Sequence, residues 1–252
     1  MYQLSDTLFH NCIDYKDGKA EPQRLEISEE IAYSLRVNDK KVATLIASPH
    51  DFRSLVIGYC LAEGIVDSRD EIESVILDEP KHIADVTLKN TTSYYETAEP
   101  SATRHKDVTW TIDATDVCHY GGLLDSITKA HHTTHGVHEG ALVKNGEVIA
   151  YAEDVGRHNV LDRLFGIIAE KGIDTSDKVL IFSGRVPQSV IKKVDRMGLH
   201  MICSRAMPTA LGIQIAEKAG ITAQDVGQSL RFLKSKGWAD QQAKNLILTE
   251  QG

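Results

Sequence analysis

Several features that would assign this chain at once are missing from it. No stretch approaches the roughly 18–20 consecutive apolar residues needed to cross a membrane. The opening Met1-Tyr2-Gln3-Leu4-Ser5-Asp6 lacks the basic-then-apolar order of a secretory leader. Cysteine is scarce: the thiols at 12, 60, 118 and 203 show no close pairing of the kind that builds a disulfide framework, so a reducing cytoplasm is the expected location. Positive charge is not in excess. The formal net charge of -8 argues against a protein that coats nucleic acid, though local arginines and helix ends could still hold a small anion. Gly-x-Gly-x-x-Gly and Gly-x-x-x-x-Gly-Lys-Ser/Thr are both absent, which removes the dinucleotide fingerprint and the P-loop. Internal repeats and low-complexity tracts are absent too.

What remains is an ordinary globular composition, 42% hydrophobic and 25% charged, in 252 residues. That length is enough for one domain or two. The pattern divides near residue 110. Before it, residues 31–44 alternate as paired strands about an Asn38-Asp39 turn. Pro49 and Asp51 then open a helix through Leu55, Ile57, Tyr59, Leu61 and Ala62, which Gly64 ends. Short strands are expected at 72–77 and 83–88. The polar segment 91–107, with Pro100, reads as a linker, and Cys12 lies in a polar leader with no readable pattern. The expected units are a smaller α+β domain over 1–110 and an α/β domain over 111–252.

In the second unit, Leu123, Leu124, Ile127 and Ala130 mark a helix. An Asn145-Gly146 hairpin joins 141–143 to 148–150. Leu161, Leu164, Phe165 and Ile168 mark a helix closed by Gly172. Residues 179–182 form a wholly apolar strand of the buried parallel type. Pro187 starts a helix with Val190, Ile191, Val194 and Met197; a strand follows at 199–203; Pro208 starts the helix of Leu211, Ile215 and Ala216. This is a mixed, mostly parallel sheet flanked by helices.

Three strand-to-helix loops should therefore share one edge of that sheet, where open α/β sheets bind ligands. They read Glu153-Asp154-Val155-Gly156-Arg157-His158-Asn159, then Ser183-Gly184-Arg185, then Ser204-Arg205-Ala206-Met207-Pro208-Thr209. Each supplies one arginine and enters a helix N-terminus, a combination suited to phosphate or carboxylate. Asn159 is the expected helix cap, which leaves Asp154, Arg157 and His158 without a folding role. Cys118 is expected just before a helix N-terminus, with Gly121 and Gly122 beside it, where the dipole favours a thiolate; such a cysteine suits a nucleophile or sulfur carrier. Cys60 and Cys203 sit in apolar runs and read as packing residues. His131, His132, His135 and His138 invite a metal reading, but their spacing matches neither His-Glu-x-x-His nor the zinc deaminase pattern, and no metal is expected.

Thr134-His135-Gly136-Val137-His138-Glu139-Gly140-Ala141-Leu142, the Glu153 loop with Asp162, Ser183-Gly184-Arg185, and Ser204 with Pro208-Thr209 resemble, in order, the motifs of the formate dehydrogenase accessory protein (FdhD/NarQ) family. Leu35-Arg36-Val37-Asn38, Ala43-Thr44, Ser48-Pro49 and Gly58-Tyr59-Cys60-Leu61-Ala62-Glu63-Gly64-Ile65 resemble its first block. The resemblance implies a cytidine deaminase-like fold and a carrier that passes persulfide sulfur from a cysteine desulfurase to the molybdenum cofactor, a bis-molybdopterin guanine dinucleotide, before it enters formate dehydrogenase or a related molybdoenzyme. It implies Cys118 as the sulfur-bearing residue. His138, Asp154, Arg157, His158, Asn159, Ser183, Gly184, Arg185, Ser204, Arg205, Pro208, Thr209 and, more remotely, Arg231 would contact the bound cofactor, with guanine nucleotide as its mimic. A homodimer is implied as well; nucleic-acid and membrane partners are not expected. The family's Cys-Gly-x-Cys-Gly reads Cys118-His119-Tyr120-Gly121-Gly122 here, so a resolving thiol is missing. Two other readings use the same residues: a module that holds the cofactor without sulfur transfer, and a metal-dependent hydrolase of deaminase-like fold.

Overall fold

Two-residue turns with both residues at positive φ set the first strand pairings, because their twist matches that of the flanking strands. In the computed structural model, which describes residues 7–90, 112, 114–127, 134–225, 239–242 and 245–248, Asp17 (φ 51°) and Gly18 (φ 79°) join β1 (Thr7–Lys16) to β2 (Lys19–Ser28). This hairpin occupies the leader that carried no readable pattern; the Asp-Gly pair was its one sequence signal. Asn38 (φ 46°) and Asp39 (φ 66°) likewise join β3 (Ile31–Val37) to β4 (Lys40–Ala47).

Helix α1 (Phe52–Ala62) starts at Asp51, whose side chain accepts from the Ser54 amide. Strands β5 (Ile72–Asp78) and β6 (Ile83–Leu88) follow as expected, and the four strands form a sheet in the order β4-β3-β6-β5. Tyr33, Leu35, Leu55, Ile57, Ala84 and Val86 are buried between this sheet and α1, each large aliphatic contributing about 1.5–3 kcal/mol. The expected linker lies outside the described residues.

Helix α2 (Ala114–Ile127) begins well before the expected start at Leu123. Val117, Tyr120, Leu124 and Ile127 recur at helical spacing and pack against Ala141, Val143, Val179, Ile181 and Cys203. That buried stripe carries the helix through Gly121 and Gly122, because tertiary packing overrides the roughly 1 kcal/mol glycine penalty. Beyond it run β7 (His138–Lys144), a turn at Asn145 (φ 50°) and Gly146 (φ 80°), and β8 (Glu147–Asp154). Then come α3 (Arg157–Lys171), β9 (Val179–Phe182), α4 (Gln188–Arg196), β10 (Met201–Ser204), α5 (Ala210–Lys218) and β11 (Thr222–Asp225). A separate hairpin of β12 (Ala239–Gln242) and β13 (Asn245–Leu248) follows.

The five-stranded sheet has the order β11-β10-β9-β7-β8. Pairings β9–β10 and β10–β11 are parallel, while β7 is antiparallel to both β8 and β9. Four strands therefore run one way and β7 runs against them: a mixed, mostly parallel sheet. Helix α2 covers one face; α3, α4 and α5 cover the other through Val160, Leu161, Leu164, Val190, Ile191, Val194 and Ala216.

The two sheets meet where α1 crosses α3. A Cβ on Gly58 would lie 1.6 Å from the Asp162 carbonyl oxygen, and one on Gly166 would lie 2.0 Å from that of Ser54. The backbones touch at these glycines, and Phe165 packs into the cores on both sides.

Candidate functional site

Because β8, β9 and β10 point the same way, their carboxyl ends and following loops lie at one edge of the sheet, with the start of β7 among them. Backbone and hydroxyl groups tie the loops together. The Arg205 amide donates to the Phe182 carbonyl (3.0 Å), and the Thr209 amide to that of Val186 (3.2 Å). The Ser204 hydroxyl donates to the Gly184 carbonyl (2.7 Å) and accepts from the Ala206 amide (3.1 Å). The Ser183 hydroxyl accepts from the Glu139 amide (2.8 Å) and lies 3.3 Å from His138 Nδ1. Gly184 sits so close to its neighbours that a Cβ there would be 2.8 Å from the Phe182 ring and 3.2 Å from Arg157 Cβ. The first and second loops are thus in contact, and the third is bonded to the second.

Arg157 is the first residue of α3 and is half-buried, and its Nε is shielded from solvent with no hydrogen-bond partner among the described residues. A shielded guanidinium nitrogen without an acceptor is costly unless a ligand supplies one. Arg185 and Arg205 are exposed at the same edge. Gly156 and Pro187, which precede α3 and α4, provide no side-chain cap, so those N-terminal amides remain available to an anion. The Thr209 side chain instead caps α5 by accepting from the Gly212 amide (3.0 Å), while Pro208 bridges to Val186. His158 is held below its ordinary pKa by burial first and then by Lys193 and Arg157, which favours the neutral imidazole.

Asp154 and Asn159 serve a different purpose from the one expected. Asp154 is fully buried. Its Oδ2 pairs with Arg163 (2.7 Å and 2.8 Å to two guanidinium nitrogens) and accepts from the Ser48 amide (3.2 Å). Its Oδ1 accepts from the Gly156 amide and from Asn159 Nδ2, both at 2.8 Å. Asn159 is the third residue of α3 and not its cap; its amide also donates to the Ile46 carbonyl (2.7 Å). Arg163 adds bonds to the carbonyls of Ser48 (2.8 Å), Asp51 (2.9 Å) and His50. Asp154 therefore has a folding role: with Arg163 it locks β8 and α3 to the segment between β4 and α1. The residue-level reading missed Arg163. The available signal was a charge on the apolar stripe of α3, between Val160 and Leu164, where an unpaired cation is not tolerated.

Nearby, Lys193 forms ion pairs with Asp162 (2.6 Å) and Glu63 (3.0 Å). Burial pushes the Asp162 carboxyl up to about 6, against the opposing pull of Lys193.

Cys118 is the fifth residue of α2, inside the helix and beyond the first turn, where the dipole acts most strongly; the expected position ahead of a helix start is corrected accordingly. Cys60 and Cys203 are buried, and burial pushes both thiols up to about 12, as packing residues should be. His135 is exposed, and His131, His132 and Arg231 lie outside the described residues. Among the described residues no group of three or more side chains could hold a metal ion, and no helix is long and apolar enough to cross a membrane. A cavity of about 230 Å³ is lined by His50, Asp51, Tyr151, Glu153 and Arg163. There the Tyr151 hydroxyl donates to Glu153 (2.6 Å), and burial raises the phenol's pKa.

The model of the FdhD/NarQ family matches residues 28–228. Two curated relatives from Staphylococcus aureus, strains MRSA252 and JH9, are named sulfur carrier protein FdhD. Each is 29% identical over 231 residues, covering 84% of this chain and 87% of the relative. The crystal structure of a formate dehydrogenase accessory protein from Desulfotalea psychrophila has the same fold: TM-score 0.74 at 20% identity, covering 87% of this chain and 91% of that one.

Proposed function

Because the chain belongs to the FdhD/NarQ family, we propose that it is a sulfur carrier in the maturation of formate dehydrogenase. The match that carries this reading runs through every loop of the edge described above, from the β7 start to Thr209. In this proposal a cysteine desulfurase is the sulfur donor, the cytoplasm is the place of work, and the molybdenum cofactor is the acceptor.

Thiol chemistry supports Cys118 as the carrier. Sulfur is accepted by a thiolate, and Cys60 and Cys203 are held as neutral thiols by burial; Cys12 precedes the matched region. The Cys118 thiolate attacks the terminal sulfur of the donor's persulfide, the donor's S–S bond breaks, and the donor leaves as a thiolate. One sulfur has moved and no net oxidation has occurred. Without a second motif cysteine, release must come from attack by the acceptor and not from closure of an internal disulfide.

The cofactor is cargo, and its nucleotide phosphates fit what the edge offers. Arg157 has an unmatched shielded nitrogen, Arg185 and Arg205 add exposed cations, and two helix N-termini lack side-chain caps. Ser183, Gly184, Ser204, Pro208 and Thr209 shape the loops, and His138 and His158 flank them.

Mass spectrometry after incubation with a desulfurase and cysteine tests the carrier step. About 32 Da per sulfur should appear on Cys118 and vanish in Cys118→Ala. Labelling on Cys60 or Cys203, or none, would sink it. If guanine nucleotide still binds an unlabelled protein, the chaperone-like module becomes the better reading.

A further inference from the structure

Lys193 lies in the second turn of α4 and belongs to none of the three edge loops. It is nonetheless buried, between carboxylates from two other helices: Asp162 of α3 (2.6 Å) and Glu63 just past the end of α1 (3.0 Å). Stability alone does not account for such a pair, because well-packed apolar side chains of similar volume serve stability as well or better. What a buried ion pair adds is direction. It is satisfied at one alignment only, whereas apolar contact is non-directional. We infer that Lys193 is a positioning residue, whose ion pair with Asp162 sets the register of α4 along α3 and so holds the Ser183-Gly184-Arg185 loop against Arg157. This rests on the phosphate site proposed above and gives it a support outside its loops.

The geometry is that of two parallel neighbours. Strands β8 and β9 run the same way, and α3 and α4 return side by side on one face of the sheet. Asp162 is the sixth residue of α3 and Lys193 the sixth of α4. Joined at equivalent positions, about 7.5 Å from each start at 1.5 Å per residue, the two N-termini come level. A slip of one residue would displace one from the other by about 1.5 Å. The edge has little room for it, since a Cβ on Gly184 would already be 3.2 Å from that of Arg157. The apolar residues around the pair, Leu161, Leu164, Val190 and Val194, fill space without fixing a register.

Besides Lys193 and Glu63, Asp162 faces Asp154 from the end of β8 and Cys60 from α1, and His158 stands one turn before it on α3. Asp154 is paired with Arg163, and burial keeps Cys60 a neutral thiol. Asp162 and His158 are therefore the groups that gain a proton as the solution turns acid. Burial lifts Asp162 to about 6, against the pull of Lys193. Below that pH its carboxyl is neutral, the ion pair is lost, and Lys193 is left with Glu63 on another helix.

Calorimetry with diguanosine 5′,5′-pyrophosphate, whose phosphate charge does not titrate near neutrality, tests the inference. Each proton taken up adds positive charge, so electrostatics alone predicts tighter anion binding as pH falls. In a His158→Gln background, binding should instead weaken by roughly 2- to 30-fold as pH falls through about 6. With Asp162→Asn added, it should stay at the weak acid-side level throughout. Lys193→Met combined with Asp162→Leu exchanges the pair for apolar side chains. That variant should keep the urea midpoint of the wild type and still bind roughly 2- to 30-fold more weakly. A merely structural pair predicts wild-type binding in that variant and no weakening in acid; either result would overturn the inference and leave the phosphate site standing. The acid arm leaves Lys193 in place, so it decides the matter even where the double variant fails to fold. A wild-type chain that binds no pyrophosphate at any pH would overturn the site and the inference together.

Discussion

The seam between the two sheets and the loop edge of the five-stranded sheet both draw on the loop 153–159 and behave oppositely. Along 153–159, Asp154 and Asn159 turn into the seam, where the Asp154 carboxylate bonds to Arg163, to Asn159 and to the backbone amides of Gly156 and Ser48. Arg157 begins α3 at the edge and keeps an unmatched shielded nitrogen there. A motif dense in polar residues is therefore not all ligand site. Part of it holds the scaffold so that the rest can be presented, and the partners of each side chain tell which is which.

The comparison breaks first at Arg163. Arg163→Ala leaves Asp154 buried without its counter-ion and should cost about 3–5 kcal/mol in urea unfolding; a loss under about 1 kcal/mol would mean that the seam does not depend on this pair. Gly58→Ala should cost about 1–3 kcal/mol or more, since the new methyl would sit 1.6 Å from a backbone oxygen. At the edge the expectation reverses. Arg157→Ala should leave stability within about 0.5 kcal/mol and weaken guanine-nucleotide binding, followed by calorimetry, by about 1.5–3 kcal/mol. Lysine should restore only part of it, because it lacks the planar fork. Equal stability losses at 157 and 163 would erase the distinction.

The smallest effect concerns pH. Burial raises the Asp162 carboxyl from 3.8 to about 6, so the native state holds this proton more tightly than the unfolded chain. Its contribution to stability is full below about pH 4, declines as pH rises to about 6, and is level above that. Asp162→Asn should flatten that decline in unfolding midpoints measured from pH 4 to 7. An unchanged slope would show that Asp162 titrates normally.

Much of the scaffold was legible because local signals and the fold agree. Asn38-Asp39 and Asn145-Gly146 turn where expected, and the stripes Leu161-Leu164-Ile168 and Val190-Val194 bury as expected. The α2 start was missed because glycines at 121 and 122 read as a break, while the stripe that overrides them is completed by residues from β7, β9 and β10. The β1–β2 hairpin was missed because it has no buried face, and alternation between inside and outside is what makes a strand readable.

Sequence alone determined the order of elements from β3 to α5, the shared edge of the three arginine loops, and the family motifs laid along them, since all of these follow from spacing, turn chemistry and the handedness of strand-helix-strand connections. Only the tertiary structure decided that Asp154 belongs to Arg163, nine residues on, that Gly58 and Gly166 mark a close crossing of α1 and α3, and that Cys118 lies within a helix. The shared anchoring of Asp154 and Arg163 on Ser48 and the glycine crossing join backbones more than a hundred residues apart, and the α2 start depends on the strands it packs against; spacing along a chain does not encode contacts of that kind.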